Sequence, residues 1–218
     1  IIPFRDRFGG WHLTGKHGIT QHLGNMVGEL SPNGLKKYPN PPGKQFRWET
    51  YPVASSDVLA HLLQEHQVGF VNRAIKATYD TRSALTEGDA KEVVNKYAES
   101  LTRYLLFTDE VPLPEGGIEG DQSLKEHFLK NARKSAQGNS LREFDLRTRL
   151  FKYRCSYMVH SAAFEGLPPP LKEQIILRLK IALDVSRKSP VSLHLPDSEK
   201  QSIHRILNST LKPYSQTK

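Results

Sequence analysis

Cysteine is all but missing from this 218-residue chain, which holds Cys155 alone. A single cysteine excludes an intrachain disulfide, a zinc site built from several thiolates, and haem attachment through two cysteines within these residues. Long apolar runs are missing as well. The most apolar stretch, Ile175 to Leu183, is interrupted by Arg178 and Lys180, well short of the roughly 18 residues that a membrane-spanning helix needs. The chain opens on Ile1-Ile2-Pro3 with no initiating methionine, basic leader or cleavage pattern, so the reading expects a processed, trimmed or incomplete start. A Walker loop, a dinucleotide fingerprint, a Gly-x-Ser-x-Gly nucleophile elbow and the His-Glu spacings of zinc peptidases are all lacking.

What is present is ordinary in bulk and uneven in distribution. Apolar residues make up 37% and charged residues 25%, the balance of a globular protein. The formal charge is +8, and most of the excess sits in one strip. From Lys125 to Arg154, nine basic residues (Lys125, Lys130, Arg133, Lys134, Arg142, Arg147, Arg149, Lys152 and Arg154) face Glu126, Glu143 and Asp145. Such a strip can track phosphates, dock an acidic redox partner or hold haem propionates, and a solvated helix face is the plainer alternative. Nucleic acid is disfavoured as a partner, because no helix-turn-helix, zinc-finger or aromatic RNA-binding pattern accompanies the strip.

Residues 1–54 carry most of the turn formers, including Gly9-Gly10, Gly15, Gly18, Gly24, Gly28, Gly34 and the cluster Pro39-Asn40-Pro41-Pro42-Gly43. That density argues against long helices. A long irregular segment needs partners for its backbone polar groups, so it is the first place to seek a site. Ser55-Ser56-Asp57 then supplies helix-starting chemistry. Leu59, Leu62, His66, Phe70 and Ala74 follow on one face, predicting a helix from about Asp57 to Ala84. A second helix is expected after Gly88-Asp89 and on to about Phe107, antiparallel to the first, with Val93, Tyr97, Leu101, Tyr104 and Leu105 inward. Further helices are predicted over Gln122 to Lys134, over residues 156–165, from Pro168-Pro169-Pro170 to about Val185, and from a capping Asp197 to about Leu211. No stretch alternates with period two long enough to predict a sheet.

The fold class read from these signals is mainly α, an irregular helical bundle with a long Gly/Pro-rich N-terminal non-repetitive segment. It is expected as a single domain over 1–218, with residues 1–54 facing a cofactor or partner and 55–218 forming the helical body. The Pro/Gly stretch at 112–120 is a candidate subdomain boundary.

Histidine is where chemistry concentrates. His12, His17 and His22 lie among glycines in the first segment, and glycine allows backbone to approach a planar group closely. Hydrogen-bonded or surface histidines are the alternative. On the first long helix His61 and Glu65 share a face, and His66 points inward with the apolar stripe. Such a histidine is either a ligand beside its carboxylate or, more commonly, a satisfied core residue. Cys155 stands beside Arg154 and near Lys152, with His160 five residues on. A buried structural cysteine is the commoner outcome there than a nucleophile.

The run Arg7-Phe8-Gly9-Gly10-Trp11-His12-Leu13-Thr14-Gly15-Lys16-His17-Gly18, followed by His22-Leu23-Gly24-Asn25, resembles a segment of large bacterial c-type cytochrome-like proteins. In that family an Arg-aromatic-Gly-Gly-Trp-x-x-Thr-Gly-x-His-Gly run with a nearby His-x-Gly-Asn lies shortly after a Cys-x-x-Cys-His haem attachment. Ser56-Asp57-Val58 through Glu65-His66-Gln67, and Leu141 through Arg149 to Tyr157, resemble the same pattern in the expected order. The attachment motif itself is not in these residues, so either it precedes Ile1 or this is a relative without covalent haem.

The resemblance implies haem binding, electron transfer and export to the periplasm. It makes haem c the expected cofactor, with Trp11, His17, His22, Arg7 and His66 around it. His17 or His22 would be an axial ligand, and Arg5, Arg7 or the strip from Arg147 to Arg154 would face the propionates. A metal set of His17, His22, Glu65 and His66 is the corresponding expectation for haem iron or another ion. The partner expected is a redox protein or an upstream cytochrome segment. No catalytic residue is assigned, and no self-sufficient enzyme is expected. Two alternatives stand beside this reading: a non-catalytic helical module docking an acidic partner through the basic strip, and a metal-dependent hydrolase using His17, His22, Glu65 and His66.

Overall fold

Asp57 starts the longest element of the protein. Its Oδ1 accepts the backbone N–H of Leu59 at 2.7 Å, and its Oδ2 accepts that of Asp121 at 2.8 Å. One carboxylate therefore opens a helix and ties down a later loop. The helix, α1, runs Val58–Glu87. A computed structural model supplies these coordinates and describes residues 2, 4, 7, 11–19, 22–41, 47–53 and 55–216. Arg5, Phe8, Gly9, Gly10, Pro42 and Gly43, which carry some of the expectations above, lie outside the described residues.

Among the described residues the remaining α-helices are α2 (Lys91–Leu105), α3 (Gln122–Lys130), α4 (Ala162–Glu165), α5 (Pro169–Leu183), α6 (Asp197–Thr210) and α7 (Lys212–Gln216). The protein is mainly α. Strands β1 (Met26–Ser31) and β2 (Gly34–Pro39) form one antiparallel hairpin, paired from Met26 with Pro39 to Ser31 with Gly34. This hairpin corrects the expectation of no sheet. Its strands are exposed over most of their length, so no buried face imposes the apolar alternation that announces a strand.

Other boundaries moved for local reasons. The predicted helix over 156–165 divides into a 3-10 turn, Tyr157–His160, and α4, because Ser161 is extended and its Oγ accepts the N–H of Phe164. Helix α3 stops at Lys130 rather than Lys134, where Ala132 N–H turns back to Leu129 and Ser135 N–H bonds Asn139. The residue before α6 is Pro196, and Asp197 is the first helical residue rather than the cap. An acid in the first turn still favours the helix dipole.

The chain divides into two compact units, each assembled from separated segments. The first comprises 1–64, 111–126 and 145–150; the second comprises 65–110, 127–144 and 151–218. In the first unit Leu13, Ile19, Val58, Leu59, Leu62, Leu63, Leu113 and Ile118 are buried. Its segments are stitched by backbone bonds, Leu113 N–H to Thr148 O, Ile118 N–H to Leu146 O and Glu119 N–H to Lys16 O.

In the second unit α2 packs against α5, burying Leu101 and Leu105 of one and Ile175 and Leu179 of the other. Tyr104 Oη donates to His66 O at 2.9 Å and Tyr97 Oη donates to Asp80, which sets α2 antiparallel to α1 as expected. Gly69 permits this approach, since a Cβ there would stand 2.4 Å from Tyr104 Oη.

Helix α2 ends in an uncommon way. Thr108 N–H bonds Arg103 O and Phe107 N–H bonds Tyr104 O, the paired bonds of a Schellman turn. The residue at its left-handed position is Phe107, φ 53°, where glycine is usual. The ring compensates for the backbone: it stacks on His66 at 4.9 Å and lies 5.8 Å from Phe151. Relief of a left-handed bulky residue is worth about 1–2 kcal/mol, whereas losing a buried phenylalanine costs about 3–5 kcal/mol. Phe107→Gly is therefore expected to lower the urea midpoint, despite placing glycine where glycine is conformationally preferred. A raised midpoint would show that strain outweighs the ring.

Candidate functional site

The histidine-rich segment is organised by an asparagine. Asn25 Oδ1 accepts Leu13 N–H at 2.7 Å, and Asn25 Nδ2 donates to Leu13 O at 2.7 Å, so one side-chain amide pairs with a backbone as a strand would. Thr14 bridges to Asp57 in a parallel pairing, with Thr14 N–H on Ser56 O at 2.9 Å and Ser56 N–H on Thr14 Oγ1 at 2.8 Å. Trp11 passes so close to Gly24 that a Cβ there would stand 2.0 Å from the Trp11 carbonyl oxygen. The glycine at 24 thus serves a close approach within the protein itself, where the sequence suggested approach to a planar cofactor.

Four histidines of the first unit are gathered by this clamp. The rings of His17 and His22 lie 6.4 Å apart, and that of His61 lies 5.7 Å from the indole of Trp11. His22 is buried, with Nε2 3.1 Å from Arg7 O. His61 Nε2 lies 2.8 Å from Ser56 Oγ, and His12 is half-buried. His17 is half-buried and its Nδ1 accepts Ile19 N–H at 3.2 Å, which leaves the proton of the neutral ring on Nε2. Trp11 is 66% exposed.

Burial holds His12, His17 and His61 below the ordinary histidine value. For His17 the neighbouring His22 and His12 act in the same direction, while for His61 the Asp57 carboxylate partly opposes the shift. Neutral imidazole, the form that ligates metals, is thereby favoured near neutral pH. The donor type would suit haem iron; of His17 and His22, only His17 is partly exposed and could offer a nitrogen to a bound group, since His22 is enclosed.

Arg7, expected near propionates, donates from Nε to Ile2 O at 3.3 Å and lies over the Phe4 ring. His66 and Glu65 belong to the second unit. His66 Nε2 is 2.7 Å from Ser156 Oγ, and its ring is sandwiched between Tyr104 at 5.3 Å and Phe107 at 4.9 Å. It is a satisfied core histidine, pushed down to about 4 by burial and then by Arg73. Among the described residues no three His, Cys, Asp or Glu side chains come together in a way that could hold a metal ion. Cys155 is buried, and burial pushes its thiol up, away from nucleophilic character.

Part of the basic strip is engaged by the fold. Arg142 donates to Phe128 O and lies over the rings of Phe128 and Tyr157. Lys152 pairs with Glu143 at 2.8 Å and Arg154 with Glu199 at 2.6 Å. Asp145 Oδ1 accepts the N–H groups of Arg147 and Thr148. Linear charge counting includes Glu143 but misses Glu199, which reaches Arg154 from 45 residues away.

Sequence reasoning named His12 and His61 without assigning them to the cluster, and it passed over Thr14, Asn25 and Ser56 as its scaffold. Asn25 was visible inside His22-Leu23-Gly24-Asn25, but a pattern of residue types does not say what an amide side chain pairs with. No helix is long and apolar enough to cross a membrane among the described residues. No protein-family model, no curated protein and no solved structure matches the chain.

Proposed function

We propose that this chain is a haem-associated electron-transfer protein of the exported, periplasmic kind, an irregular helical bundle whose first unit receives haem c carried on a preceding cytochrome segment. The observation that carries the reading is the gathering of His12, His17, His22 and His61 with an exposed Trp11 in one clamped segment. When bound, haem supplies reversible one-electron chemistry, with its potential set by ligand and burial.

In this reading His17 is the residue that would hold the haem iron. Holding iron through Nε2 would need the ring proton on Nδ1 and so would give up the Ile19 N–H contact, about 1 kcal/mol. His22 holds the segment by its contact with the Arg7 carbonyl and by its ring against His17. Trp11 and His61 form the adjoining wall.

The test is an ultraviolet-visible spectrum, with metal analysis, of the protein expressed behind a native upstream segment in a host competent for cytochrome c maturation. A Soret band that shifts on His17→Ala is the expected result. Preparations with neither haem nor metal would sink the proposal.

A further inference from the structure

The hairpin β1–β2 is a sparsely covered element of the first unit. Its strands pack chiefly on each other, whereas an isolated two-stranded hairpin is marginal in water and gains from a surface to lie on. Register divides its side chains into two faces of different chemistry. One face carries Val27 opposite Tyr38 and Glu29 opposite Lys36, so its charges compensate. The other carries Met26 opposite Pro39, Gly28 opposite Lys37 and Leu30 opposite Leu35, with no carboxylate. Leu30 is 90% exposed and Leu35 is 58% exposed, with the Leu35 side chain over Gly28.

We propose that this second face lies on an anionic lipid surface, with Leu30 and Leu35 entering the interfacial region and Lys37 meeting the headgroups. Charge chooses the occupant. Lys37 stands in the middle pair of the face, so a second copy packed symmetrically on it would oppose two lysines in a desolvated seam. An anionic headgroup layer satisfies the same lysine while the flanking leucines are buried to the shallow depth that interfacial elements reach. The face is also small for a protein partner, since stable interfaces take about 800 Å² from each side. The net charge of +8 draws the whole protein to such a surface.

Cosedimentation with vesicles of phosphatidylcholine alone, and of phosphatidylcholine mixed with phosphatidylglycerol, tests this directly. The parent protein is expected to pellet only with the phosphatidylglycerol vesicles, and less so as salt is raised. Leu30→Glu is expected to weaken that binding at least about tenfold, and Lys37→Glu to weaken it at low salt. Both variants should melt with the parent, because both side chains are exposed. The proposal is overturned if the parent stays in the supernatant with both vesicles or if Leu30→Glu binds as the parent does. It is also overturned if ultracentrifugation shows a parent dimer that Leu30→Glu dissociates, which would make a second copy the occupant.

Discussion

Removing the Glu199 carboxylate, as Glu199→Ala, is expected to destabilise the protein by about 3–5 kcal/mol, the cost of breaking one side of a buried ion pair. Glu199 Oε2 accepts Arg154 Nη2–H at 2.6 Å, while Oε1 accepts Arg154 Nε–H at 3.1 Å and the Arg154 backbone N–H at 2.8 Å. Three donors therefore converge on one carboxylate. The Glu199 side chain is 8% exposed and that of Arg154 is 21% exposed, so truncation leaves a guanidinium and an amide without partners where water reaches poorly.

Glu199→Gln keeps an acceptor oxygen and should cost less. The contrasting pair is Arg103 with Asp109, also two-pronged but near the surface, where Asp109→Ala should cost less than about 1 kcal/mol. Urea denaturation of the three variants decides the matter: equal losses for Glu199→Ala and Asp109→Ala would show that burial adds nothing to the Arg154 pair.

Mild acid should unfold the protein through one buried and one half-buried histidine. His66 is pushed down to about 4 by burial, with Arg73 adding to the effect, and His160 is pushed down to about 4 by burial, then by Arg133 and Arg142. His160 Nε2 lies 3.0 Å from Thr210 Oγ1. Both rings stay neutral in the folded protein at pH values where an unfolded chain, with the ordinary value of 6.5, already takes up a proton. The unfolded state thus binds more protons between about pH 6.5 and 4, and stability falls as pH drops through that window.

The contribution is fully present above pH 6.5. A shift of this size corresponds to about 3 kcal/mol for His66, and to somewhat less for His160, which is less enclosed. Stability measured by denaturant titration from pH 7.5 to 4 should decline steeply in the parent and less steeply in His160→Gln. Parallel curves for the two proteins would show that His160 is not the group responsible.

Much of the helical part was legible along the chain. The stripe Leu59, Leu62, His66, Phe70 and Ala74 is buried as predicted, because a 3.6-residue period projects directly onto one helix face. Asp57 caps α1 and Pro169 opens α5, both local signals that need no tertiary partner. Asp197 misled, since an acid after a proline serves equally as cap or first turn. The hairpin escaped notice because neither face is buried against a core. For the candidate site, the histidines were legible as a density of residue types, yet their grouping was not. His61 is 44 positions from His17 in the chain, and only the bridge from Thr14 to Ser56 and Asp57 brings its helix alongside Trp11.

Local pattern along the chain was enough for the helical class, the approximate ends of α1 and α2, the inward set of His66, and the exclusion of an intrachain disulfide and of multi-cysteine metal chemistry within these residues. Each of these follows from residue type and spacing within a few turns of chain. Contacts between distant segments were needed to show that His66 is bonded to Ser156 among stacked aromatic rings, that Arg154 is neutralised by Glu199, and that Gly24 makes room for Trp11. Those contacts join positions 13 to 90 residues apart, and a buried polar group takes its meaning from the partner that replaces water, which lies beyond the reach of any local pattern.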